Sequence, residues 1–195
     1  INRFELNNNT KPKVIYGGVC YHQEKPNADQ LLRWKYGHER ESKNVSDRQK
    51  EPYFVISQNL MINKELFINN NTLEFNKYGL DILFSGNLLK NDVHVKHIDN
   101  PVYHLGLENK ETFLNKSLEA VKTTYSLEKN NQINKNLRPL QKSYLFLNKW
   151  KLDGLFSALF KISRKTIKSN LLSNHPSMFL FDLYRLNYLI ELKKN

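Results

Sequence analysis

Short β-branched runs alternate with segments of helical period over the first two-thirds of the chain, and that alternation most limits what it can fold into. Lys13 to Tyr21, KVIYGGVCY, predicts a strand with a close-approach point at its glycine pair. Asp29 to Gly37 has helical spacing at Leu31, Leu32 and Trp34, and the charged residues 38–51 read as an exposed loop. Tyr53 to Met61 predicts a second strand, followed by a short helix near 63–68 and a turn at Asn69-Asn70-Asn71. A helix is expected from Gly79 or Leu80 through Leu89, then a strand from Val93 to Ile98 stopped by Asn100-Pro101. Glu108 to Thr124 predicts a further helix, with Phe113, Leu114, Leu118 and Val121 on one face. Strands interleaved with helices imply an α/β architecture.

Charge divides the chain differently from hydropathy. Residues 1–128 carry 17 basic and 16 acidic side chains, whereas residues 129–195 carry 13 basic and three acidic ones, so the net charge of +11 splits as +1 and +10. The expected organisation is therefore a nearly neutral globular region, 1–128, and a basic tail, 129–195, joined by the Asn/Lys-rich stretch 129–136 read as a solvated linker. With 195 residues, 39% of them apolar, the chain supplies a real core, which rules out wholesale disorder. In the tail, Leu152, Leu155, Phe156, Leu159, Phe160, Ile162 and Ile167 fall on one half of a helical wheel and Lys151, Lys161, Arg164, Lys165 and Lys168 on the other. Pro176 suits the first turn of another helix, apolar on nearly every side from Met178 to Leu192 but interrupted by charges.

Several classes are excluded or left without support. A single cysteine, Cys20, permits no disulfide framework and reads as core. No apolar run approaches the ~20 residues a spanning helix needs. There is no GxxxxGK[ST], GxGxxG, CxxC or HExxH. His94 and His97 look like a metal pair, but odd spacing on a strand places them on opposite faces, so they read as ordinary histidines. Glu39-Arg40-Glu41 reads as a solvated surface. The chain opens with Ile1 and shows no signal-peptide pattern, which raises the expectation of an upstream part.

Phe75 to Gly106, FNKYGLDILFSGNLLKNDVHVKHIDNPVYHLG, runs from an aromatic-Gly turn to an acid at a helix start, then helix, strand, Asn-Pro and Tyr-His. With FVISQNLMINKELF (54–67) and YGGVCYHQEKPNADQLLRWKYGHERE (16–41), it resembles the C-terminal half of a family-2 glycosyltransferase catalytic domain, over about residues 13–125. It looks most like the bacterial enzymes of surface-polysaccharide assembly, of hexosyltransferase type, and PSMFLFDLYRLNYL looks like the C-terminal end of some of them. The resemblance implies a partial GT-A fold and inverting transfer of a sugar from a nucleotide-sugar donor to a hydroxyl of a glycan or lipid-linked acceptor. The family's Glu-Asp pair maps onto Leu80-Asp81, so Asp81 keeps the general-base position while Leu80 replaces the glutamate. A carboxylate at a helix N-terminus is held ionised by the dipole and free amides, as a base near an attacking hydroxyl must be; the plain alternative is a helix cap. His104 falls where the family often places a histidine on the catalytic metal or the donor diphosphate, and imidazole suits Mn²⁺ and less often Mg²⁺; the alternative is a strand-end histidine bonded to backbone. Ser57, Gln58 and Asn59 match the acceptor side, or cap a strand end. Gly17 and Gly18 let backbone approach the donor sugar, or form a bulge. Arg33, Trp34, Tyr36 and Arg40 suit a sugar-facing platform, against the alternative of a buried Trp on a helix.

The family's nucleotide-binding half, with its Asp-x-Asp metal motif, would precede Tyr16, and no two of the seven Asp residues here are spaced two apart. The chain alone is therefore expected to be inactive, its main metal ligands upstream, and poorly soluble through exposed sheet edges. A basic amphipathic helix fits an anionic membrane surface, each Lys or Arg adding about 1 kcal/mol, so residues 143–192 are expected to hold the protein peripherally on the inner face of the cytoplasmic membrane. The other course is that the apolar face packs back on the domain. Two further readings are a catalytically dead scaffold and a basic nucleic-acid-binding module. The neutral globular region disfavours the second, so no nucleic-acid partner is expected.

Overall fold

The computed structural model describes residues 12–71 and 78–194. In chain order these form β1 (Val14–Tyr16), β2 (Val19–Cys20), α1 (Leu31–Tyr36), α2 (Val45–Lys50), β3 (Leu60–Ile62), α3 (Lys64–Asn70), α4 (Asp81–Lys90), β4 (Val95–His97), β5 (Val102–Tyr103), α5 (Lys110–Lys129), α6 (Pro139–Lys149), α7 (Asp153–Leu171) and α8 (Met178–Lys194). The architecture is mixed α/β, with small sheets and a helical C-terminal region. The described residues divide into two compact units, one of 12–23, 37–71 and 81–106, the other of 24–36, 78–80 and 107–194. This division does not follow the charge break at 128–129, because α5 packs with the C-terminal helices.

The first unit is built on a sheet of order β3-β1-β4, in which β1 runs antiparallel to β3 and parallel to β4, with Val14 opposite both Ile62 and Val95. All three residues of β1 are buried, so it reads as a continuous apolar run rather than an alternating one. The expected 13–21 strand is divided at Gly17-Gly18: Gly18 takes φ 89°, open to glycine without cost, and the chain leaves β1 to pair β2 with β5 in a second, parallel sheet. Val14, Tyr16, Val55, Leu88 and Val95 form the core of this unit. α4 and β4 lie where the period predicted them. Asp92 in the left-handed region (φ 46°), with Val93 N–H bonded to the Leu88 carbonyl, closes α4.

Two expectations for this unit differ from the structure. Of the predicted 53–61 strand only Leu60 and Met61 pair in the sheet, as part of β3, because Ser57–Asn59 coils into a single 3-10 turn. Residues 38–51 are not a loop: Gly37–Glu41 forms a π-helical turn, and α2 follows, its N-cap Asn44 accepting from the Asp47 amide at 2.9 Å.

The second unit is helical. Asn109 caps α5 by accepting from the Thr112 amide at 2.8 Å, and Phe113, Leu114 and Val121 face inward as predicted. The helix continues to Lys129 because Leu127 and Glu128 are also buried. Phe113 and Phe181 stack at 5.7 Å, with Tyr36 against both, in a core that includes Leu32, Phe160, Ile167 and Leu171. Burying each such ring contributes about 2–3 kcal/mol. The stretch 129–136 is a connector rather than a free linker: Ile133 is buried, and Gln141 of α6 donates to Glu128 at 2.6 Å and to the Asn134 carbonyl at 2.9 Å. Lys193 completes this group by an ion pair to Glu128. Among the described residues no helix is long and apolar enough to cross a membrane.

Candidate functional site

Five of the residues singled out from sequence meet in the first unit, where the chain leaves β1. Asn59, in the turn before β3, donates its amide to the Gly18 carbonyl at 2.8 Å and to the Asn100 carbonyl at 2.7 Å, while its own carbonyl accepts from Gly17 N–H at 3.1 Å. A Cβ on Gly17 would lie 2.4 Å from that amide nitrogen and 2.6 Å from the Asn100 oxygen. At Gly18 it would lie 2.7 Å from the Arg48 guanidinium. The space beside both glycines is thus taken by the protein's own polar groups. One residue away, Gln58 is exposed and its side-chain oxygen accepts from His104 Nδ1 at 2.8 Å, while His104 N–H bonds to the Cys20 carbonyl at 2.9 Å. A proton held on Nδ1 leaves Nε2 with the lone pair, the tautomer that a ligating or accepting imidazole needs. Ser57 is exposed at the start of the same turn.

Tyr21 backs this cluster. It is buried, its ring 5.3 Å from that of His104 and 5.6 Å from that of His38, and its hydroxyl donates to the Glu41 carboxylate. His38 in turn donates to the His22 carbonyl at 3.0 Å, and the His22 ring stacks on Tyr103 at 4.4 Å. Three of the six histidines therefore gather around the β2–β5 pair. Gly37 makes room for this arrangement.

Arg48 went unnoticed in the sequence because its surroundings are polar. Carried by α2, it is buried to 4% exposure, donates to the Tyr16 and Ile98 carbonyls at 3.2 and 2.9 Å, and lies over the Tyr16 ring at 5.1 Å. Its Nε is buried without a partner. Burial pulls its pKa down, against the pull of Tyr16 and Asp99, yet from so high a starting value that it stays charged. Burial likewise pushes the Tyr16 phenol up to about 12. The Asn44 cap followed by Asp47 is the signal that would have revealed α2, and with it this cation.

His97, in β4, is a core histidine. Its Nε2 donates to the Pro52 carbonyl at 2.9 Å and its ring meets Tyr16 edge-on at 5.6 Å, while His94 is exposed ahead of the strand. Burial holds His97 below the ordinary imidazole range, helped by the nearby Arg48 and opposed by the bond to Pro52. A depressed folded pKa means that the unfolded chain takes up the proton first. This contribution to stability is present above about pH 6.5 and is lost as pH falls through the lowered value. Unfolding midpoints followed down a pH series should drop below that point, and His97→Gln should flatten the drop; an equal drop in the variant contradicts the assignment.

Asp81 is the first residue of α4 and is exposed, while Ile82, Leu83, Ser85 and Leu88 bury the opposite side of the helix. An open polar depression in the same unit is lined by Glu39, Ser42, Lys43, Asn44, Asp47, Lys50 and Glu51, and neither Asp81 nor the Gln58–His104 pair lines it. Arg33 and Trp34 belong to the other unit. Arg33 is buried, its guanidinium 5.2 Å from the Phe113 ring and 5.8 Å from that of Tyr36, so it serves the helical core, and Trp34 is half-buried.

Among the described residues no group of three or more His, Cys, Asp or Glu side chains is placed to hold a metal ion. The described residues therefore do not by themselves make a site for a divalent cation. Comparison with protein-family models, curated proteins and solved structures finds no match to this chain.

Proposed function

We propose that this chain is the acceptor-side part of an inverting glycosyltransferase of GT-A type and that Asp81 is its general base. The observation that carries the reading is the exposed carboxylate in the first turn of α4. There its exposure to solvent lets an acceptor hydroxyl come within reach of the carboxylate. The reaction is a single displacement. The acceptor oxygen forms a bond to the anomeric carbon, the bond to the nucleoside diphosphate breaks with its electron pair, and the hydroxyl proton passes to the Asp81 carboxylate. Attack from the face opposite the leaving group inverts the anomeric configuration.

The resemblance over residues 13–125 and the gathering of Gln58, Asn59 and His104 in the unit that carries Asp81 support the reading. The exposed Gln58 amide and the oriented His104 imidazole are assigned to hydroxyl and phosphate oxygens of the substrates. Binding of the nucleoside is assigned to a preceding half, since this sequence has no Asp-x-Asp. Use of a nucleotide-sugar with a lipid-linked acceptor places the work on the inner face of the cytoplasmic membrane.

The test joins this chain to a nucleotide-binding half and incubates it with nucleotide-activated hexoses, Mn²⁺ and glycan or polyprenyl-linked acceptors. Nucleoside diphosphate release that rises on adding acceptor, with an inverted anomeric product by NMR, is the expected result. Tight donor binding with no acceptor-dependent release would instead assign the chain as a scaffold.

A further inference from the structure

The apolar half-wheel of α7 is divided between two surroundings. Phe160, Ile167 and Leu171 are buried in the helical core, with Phe156 packed beside them. Leu155, Leu159 and Ile162 are not: they are 60%, 59% and 84% exposed, with Leu152 at 40% just ahead of them. At 100° per residue these four lie within roughly 80° of the helix circumference, a continuous stripe next to the buried one. On the same wheel Lys165 lies about 60° beyond the Ile162 edge of the stripe, and Lys161 and Lys168 lie farther round the solvent side, all three exposed. In the turn before α7, Trp150 is 62% exposed, and Phe146 of α6 is 60% exposed.

We propose that this second stripe of α7 docks in the plane of an anionic lipid bilayer. Leu155, Leu159 and Ile162 enter the boundary between headgroups and acyl chains, and Lys161, Lys165 and Lys168 meet the lipid phosphates. Charge complementarity selects this occupant. Residues 129–195 hold 13 basic and three acidic side chains, and of those three Asp153 is already paired with Lys194 at 3.2 Å. A second copy of the same face would bring like charges together. Nucleic acid would meet the lysines but leave the leucine stripe in water. A bilayer interface satisfies both at once, and an interfacial helix with a Lys-rich flank binds in this way. The proposal stands apart from the transfer chemistry, since it uses no residue assigned to Asp81 or its cluster.

Co-sedimentation of the 195-residue chain with phosphatidylcholine vesicles, with and without about 30% phosphatidylglycerol, tests it. The expected result is at least about tenfold stronger binding to the anionic vesicles, weakened by raising salt from about 0.1 to 0.5 M. Leu159→Glu combined with Ile162→Glu should abolish that binding with the far-UV spectrum unchanged, because both side chains are exposed. Lys161→Gln with Lys165→Gln and Lys168→Gln should weaken anionic binding alone and keeps the test decisive should the glutamate pair disturb folding. Equal pelleting with both vesicle types overturns the proposal. So does wild-type binding by the variants, and so does self-association that the glutamate pair abolishes in a chain that ignores vesicles.

Discussion

Gly37→Ala is expected to destabilise the first unit by about 3 kcal/mol, the upper range for forcing an extra methyl into a packed site. Helix propensity argues for the opposite sign: Gly37 opens a helical turn outside the left-handed region, and alanine there would gain about 0.5–1 kcal/mol. Packing wins because the added Cβ would lie 2.2 Å from Tyr21 Cζ, with two more ring carbons within 2.5 Å. The ring has no easy retreat. Tyr21 is 3% exposed, fixed at its hydroxyl by Glu41, with the His38 and His104 rings close by. Chemical denaturation of the single variants and the Gly37→Ala/Tyr21→Ala pair checks the argument. With the ring gone, the cost of the alanine should fall below about 1 kcal/mol. The same cost in both backgrounds would show that the ring is not its cause.

Most of the first unit was legible because its signals are local. Period and stop residues located α4 and β4, and the alternation of short strands with helices gave the mixed α/β class. Residues 38–51 were misread because their one decisive burial, that of Arg48, is a cation that looks like surface in any composition argument. Only the partners show otherwise, and these are carbonyls of Tyr16 and Ile98, 32 and 50 residues away. The strand expected at 53–61 fell short for a similar reason: the Asn59 amide binds two distant carbonyls, and the turn presenting it leaves three residues for pairing. In the tail, the wheel found the apolar half of α7 but not its division, since periodicity records which residues share a side and not how far the neighbouring helix covers it. α6 carries a start signal of its own, with Pro139 at its first position and Gln141 accepting from Arg138 N–H at 2.8 Å.

Of the candidate site, position was legible and partnership was not. The sequence singled out Gly17, Gly18, Gln58, Asn59 and His104 separately, and the structure joins them by hydrogen bonds of 2.7–3.1 Å. It also assigns the space beside Gly17 and Gly18 to Asn59, Asn100 and Arg48. Arg33, expected on a sugar-facing platform, is drawn into the helical core because its guanidinium finds two aromatic faces there.

Asp81→Asn is expected to lower glycosyl transfer by about 10³-fold, within the range a positioned general base supplies. The amide keeps the shape and the exposure of the side chain but accepts no proton, so the acceptor hydroxyl must attack without losing one. Donor affinity should hold within about twofold, because a group that acts only in the transition state does not contribute to ground-state binding. The fold should hold as well, since Asp81 lies on the exposed side of α4 while the core-facing residues are untouched. The most direct measurement is therefore turnover of Asp81→Asn and wild type at saturating donor and acceptor, with the nucleotide-binding half present and donor binding followed in parallel. A thousandfold loss of turnover at unchanged donor affinity is the predicted result. Turnover within a few-fold of wild type would contradict the base assignment and the transferase reading built on it.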